Sequence, residues 1–169
     1  MTPGDPGSQS EGRGKAPELR EGKVGLGPAV RRAWLGYQRR LDVAMAAAGF
    51  EDRSFPDGRV LRMCPESAET TISQIGRQLG ITRQGASKIV TSLRDRGYVS
   101  VSASATDARE KIVKVAPRAV AYLAAQRRAA RTIESQLRTE LGRPGFADLY
   151  RLLEALGGDE EARVSDYLR

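Results

Sequence analysis

The sequence predicts a mainly α-helical domain with one small β-hairpin, an α+β arrangement. Three observations predict it. Apolar residues recur at helical spacing in five stretches between residues 28 and 156. Two short runs, 98–102 and 111–115, alternate with period two around a polar tip at 103–110, as in a hairpin with a longer loop than a two-residue turn. The chain has 169 residues, 40% hydrophobic and 29% charged, a length and composition that suit one soluble domain with tails.

The first 28 residues hold seven Gly and four Pro, too little apolar surface to offset the entropy of ordering. Residues 1–25 are therefore expected to form a disordered tail, 26–158 the folded domain and 159–169 a second tail. In the domain, Val30, Trp34, Tyr37, Leu41, Met45 and Ala48 step by three and four along one helical face. Pro28 suits the first turn of that helix and Gly49 its end. A short helix is expected over residues 56–63. Thr71-Ile72-Ser73-Gln74 reads as a capping box opening a third helix, with Ile72, Ile75 and Leu79 inside and Gly80 as its stop. Thr82 is placed to cap a fourth helix whose inner residues are Ala86, Ile89, Val90 and Leu93. The hairpin follows. A long helix is then expected from Pro117 to about Leu141, with Val120, Leu123, Ala130, Ile133, Leu137 and Leu141 inside. Pro144-Gly145 should break it, and a last helix carries Phe146, Leu149, Leu153 and Leu156.

Two short helices joined through Leu79-Gly80-Ile81-Thr82 make a helix-turn-helix, and the hairpin after it makes a winged one. With the apolar positions inside, the second helix turns Arg83, Gln84, Ser87, Lys88 and Thr91 outward. Arg and Lys pair with guanine edges, Gln with adenine, and Ser and Thr with either, so this face suits the major groove. Thr71 and Thr82 are candidates for phosphate contact or capping. At the hairpin tip, Arg109 suits a narrow minor groove, with Asp107, two residues away, to orient its guanidinium.

Charge agrees. The net charge is +7 with a pI near 10.0. The segment up to Lys23 is neutral and residues 159–169 carry a net −2, so the middle of the chain carries +9. A basic folded part implies an anionic partner, double-stranded DNA first.

Composition excludes most chemistry. There is no His, which removes Ser-His-Asp, Cys-His and HExxH sites and every zinc site that needs imidazole. The single Cys, Cys64, removes an intrachain disulfide and any CxxC motif. No catalytic residue, metal ligand or cofactor is expected. Residues 80–87 approximate a phosphate-binding loop, but Ala86 stands where its Lys belongs. The longest uncharged apolar stretch, 43–50, falls far short of a membrane span, and the N-terminal segment has no apolar signal core. A cytoplasmic protein is expected.

The run TISQIGRQLGITRQGASKIVTSLRDRGYVSVSASATDAREKIVKVAP resembles the MarR-type transcriptional regulators. Their pattern is a helix-turn-helix, a wing carrying D-x-R (here Asp107-Ala108-Arg109) and a strand leading into a long dimer helix. The strand here ends in Val115-Ala116-Pro117 rather than the frequent Leu-Thr step. The resemblance spans roughly residues 28–156. It implies a DNA-binding lobe at about 55–116 and dimerisation helices at about 28–49 and 117–157. It further implies a homodimeric repressor on a palindromic operator, released by a small aromatic or lipophilic effector. Trp34, Tyr37 and Arg62 are the candidates to line such an effector pocket, and dimer core is the plainer reading of the two aromatics. Cys64 lies away from the first-helix position of the family's peroxide sensors and is expected to be inert. A winged helix that binds protein or RNA, with no operator, is the alternative reading.

Overall fold

A computed structural model of the protein describes residues 25–65, 69–105, 107 and 109–158. The tails expected at 1–25 and 159–169 lie outside the described residues, apart from Gly25. The elements run α1 (Leu26–Ala46), α2 (Asp57–Arg62), β1 (Thr70–Thr71), α3 (Ile72–Leu79), α4 (Arg83–Asp95), β2 (Val99–Ala103), β3 (Lys111–Val115) and α5 (Pro117–Gly157). The mainly helical fold with a hairpin wing is as the sequence predicts.

Local chemistry explains α3 and α4. Thr71 accepts the backbone N–H of Gln74 at 3.1 Å, and the Gln74 side chain accepts the N–H of Thr71 at 2.8 Å, closing the capping box. Gly80 takes φ 68°, a left-handed conformation that a side chain would oppose, and so turns the chain between the helices. Thr82 then caps α4 by accepting the Gly85 N–H at 3.1 Å. Ile72, Ile75 and Leu79 of α3 and Ala86, Val90 and Leu93 of α4 are all buried, and Ile89 is half-buried.

The wing is an antiparallel sheet in the order β1-β3-β2, with Val101 opposite Val113 and Thr71 opposite Ile112. The two-residue β1 is an addition to the expected hairpin. It ties the start of α3 to the wing, with Thr71 both paired to Ile112 and opening the capping box.

The terminal helices differ from expectation in several details. α1 starts two residues early, and its inner face is buried at Leu41 and Met45, while Ala48 is exposed. α5 buries Ala119, Tyr122, Ala125, Ala129 and Ile133, a face that leaves Val120 exposed. The reason is size. Three small alanines let the helix approach closely, and Tyr122 fills the space between them and the lobe. The break in α5 falls at Gly142, with φ 68° and ψ 169°, rather than at Pro144-Gly145. Pro144 sits in the first turn of the segment that follows, where its missing N–H costs nothing.

An aromatic and ionic joint connects lobe to long helix. Tyr122 meets Phe50 and Tyr98 edge-on, with ring centroids 5.4 and 5.3 Å apart. Asp57, at the start of α2, is buried and takes both terminal nitrogens of Arg96 at 2.8 Å. It also accepts the Ser54 N–H at 2.7 Å, which offsets its desolvation. Tyr98 donates to Asp52 at 2.6 Å, and Arg118 lies over the Tyr98 ring.

Candidate nucleic-acid interface

α4 presents Arg83, Gln84, Lys88 and Thr91 exposed on one side, with Ser87 half-buried beside them. Thr82 and Thr71, also named by the sequence, serve as the N-caps of α4 and α3, as described above. The first turn of α4 carries Arg83 and no acid, so cation and helix dipole together favour an anion there.

The wing lies next to this helix. Arg83 donates a guanidinium N–H to the backbone carbonyl of Arg109. Arg109 is itself exposed. Asp107 accepts the backbone N–H of Arg109 at 2.9 Å. The D-x-R pair thus meets through the backbone, and the bond seen at Asp107 shapes the turn rather than aiming the guanidinium. Sequence reasoning did not foresee the contact between Arg83 and the wing, because it joins residues 26 apart with no periodic signal.

The effector candidates are divided. Trp34 and Tyr37 stack with centroids 6.1 Å apart, and Phe55 meets Trp34 edge-on at 6.0 Å. Arg62 instead donates to Gln126 of α5 at 2.9 Å. Neither of two open grooves, about 480 and 490 Å³, is lined by these three residues. The first runs along α5 beside Arg131 and Glu140, the second beside Val115 and Val120. Cys64 is buried, and burial pushes its thiol up to about 11. Among the described residues no group of three or more acidic, Cys or His side chains is placed to hold a metal ion. Among them too, no helix is long and apolar enough to cross a membrane.

A capped helix-turn-helix with a hairpin packed beside its second helix defines a winged-helix protein. Residues 52–110, from the loop before α2 to the wing, match the model of the MarR family. Solved structures share the fold over most of the chain. CouR, a transcriptional repressor bound to a 23-mer DNA duplex, is 24% identical with a TM-score of 0.61, over 79% of this chain and 92% of its own. A MarR family protein of Mycobacterium tuberculosis in complex with DNA is 20% identical, TM-score 0.57, over 80% and 100%. Reduced MarR from E. coli is 18% identical, TM-score 0.64, over 80% and 98%. No curated protein sequence matches the chain. The chain is thus similar to MarR-type proteins, in sequence over residues 52–110 and in fold over most of its length.

Proposed function

We propose that the protein is a sequence-specific regulator of transcription that binds double-stranded DNA as a homodimer, acts in the cytoplasm and represses from a palindromic operator. The observation that carries this reading is the exposed face of α4, Arg83, Gln84, Lys88 and Thr91, with Arg109 of the wing beside it. That face holds the donors and acceptors that base edges require, at the end of the helix that enters a major groove. Arg109 reaches the neighbouring minor groove, where the potential is most negative. The DNA-bound state of CouR and of the M. tuberculosis protein supports the same use of the fold.

Exposed apolar side chains on the terminal helices support the dimer. Leu35 and Val43 on α1 and Leu141, Leu152, Leu153 and Leu156 on α5 face outward. A second copy covers them by two-fold symmetry, and its lobe falls on the next half-site, about 34 Å away. Effector release is the remaining part of the proposal. The M. tuberculosis protein has been solved with salicylic acid. For this chain the Trp34–Tyr37–Phe55 group is the proposed contact for a small aromatic or lipophilic acid.

The test is selection of genomic DNA fragments by the purified protein at about 0.15 M salt, where nonspecific phosphate binding is screened. A short palindrome should be enriched, and Arg83→Ala should weaken it by about 1–3 kcal/mol. Uniform retention of all fragments, or of none, overturns the proposal and favours a winged helix that binds protein or RNA.

A further inference from the structure

The wing is tied to the helix-turn-helix by side chains as well as by its sheet. At the base, Ser73 of α3 donates its hydroxyl to Oε1 of Glu110 at 2.8 Å. At the tip, Arg83 of α4 donates to the carbonyl of Arg109. Two consecutive wing residues are therefore held, one by each helix of the motif. Within the turn, the Glu110 N–H reaches the Asp107 carbonyl at 2.9 Å, and the Ser104 N–H reaches the Glu110 carbonyl at 3.0 Å.

We propose that Arg83, with Ser73 and Glu110, clamps the wing against the recognition helix, so that Arg109 contributes to DNA binding only while Arg83 holds it. This rests on the DNA-binding reading above. An exposed hairpin tip with no such ties loses backbone freedom on binding, whereas a tip already held loses less. Arginine fits the task. Its planar fork has five N–H groups, so one bond to a carbonyl leaves others for a base or a phosphate. Major-groove and minor-groove reading then form one unit, and Arg83 is a positioning residue for the wing in addition to facing the DNA.

Two experiments test the clamp. The first needs no DNA. In the free protein, amide hydrogen exchange at Arg109 and Glu110 should quicken several-fold in Arg83→Ala. It should stay at the wild-type rate in Gln84→Ala, which alters the exposed neighbour on the same turn. Equal rates in all three proteins overturn the proposal. The second is a double-mutant cycle on a duplex selected from genomic fragments by the wild-type protein. Arg109→Ala should weaken binding roughly tenfold in the wild type and less than about twofold in the Arg83→Ala background. Equal effects in both backgrounds mean that the two arginines act independently, which overturns the clamp and leaves the DNA-binding reading intact. Failure of the wild type to select any duplex overturns the DNA-binding reading, and the exchange experiment then decides the clamp by itself.

Discussion

The lobe from α2 to β3 and the terminal helices α1 and α5 solve the same packing problem differently. The lobe closes on itself. Ile75, Leu79 and Leu93 are each 0% exposed, and the buried carboxylate of Asp57 is matched by Arg96. The terminal helices do not close. Val43 is 72% exposed and Leu152 70%. A chain that completes one core and leaves apolar helix faces uncovered beyond it separates two tasks. The closed lobe presents side chains, and under the proposed function the open faces of the helices are covered by a second copy.

Breaking the closed interior of the lobe should have the largest effect. Asp57→Ala leaves the Arg96 guanidinium without its carboxylate, and unfolding in urea should show a loss of about 3–5 kcal/mol. Val43→Ala, on the open face, should stay within about 0.5 kcal/mol in the unfolding of a dilute, unpaired chain. Comparable losses in the two variants would remove the distinction between a closed and an open region.

The second effect belongs to association. Leu152→Glu and Leu153→Glu together place charge on the uncovered face of α5. Sedimentation should show a monomer at concentrations where the wild type is a dimer, while circular dichroism retains the helical signal of the lobe. A wild-type sedimentation profile for this variant would mean that the apolar face serves something other than pairing.

Smaller still is the cap of α4. Thr82→Ala removes the acceptor for the Gly85 N–H and should cost about 1 kcal/mol, with most of it returned by Thr82→Ser. No change in the thermal midpoint would contradict the capping role.

Near neutral pH the least effect comes from Cys64. Its thiol lies near 11 in the folded state and near 9 when exposed. The unfolded chain therefore releases this proton first. Its contribution is complete below about pH 9 and is lost as pH rises to about 11. Cys64→Val should flatten the fall in stability that begins near pH 9. The fall above pH 10 should remain, because burial pushes Tyr98 and Tyr122 to about 12. Rapid alkylation of Cys64 at pH 7 in the folded protein would contradict its inert role.

The same contrast governs what the sequence revealed. In the lobe, signals are local. Thr71 and Gln74 are three residues apart, Gly80 marks the turn, and branched residues define the inner faces of α3 and α4. Those elements were legible almost to the residue. Beyond those local motifs the signals are distant. Asp57 and Arg96 are 39 residues apart, and no pattern of period two or 3.6 links them. The buried face of α5 is built on Ala119, Ala125 and Ala129, whose weak hydropathy made Val120 look like the inner position. The two strand residues of β1 are too few to show alternation. At the interface, the exposed residues of α4 could be read from its inner ones. The reach of Arg83 to Arg109 could not, because it depends on how the wing folds back.

The most direct test of this division of labour is the mass of the protein alone and with its selected duplex, measured by sedimentation at about 0.15 M salt. Two chains alone and two chains per palindromic duplex, with a single half-site bound far more weakly, is the predicted result. A monomer that binds one half-site as tightly as the full palindrome would contradict the account.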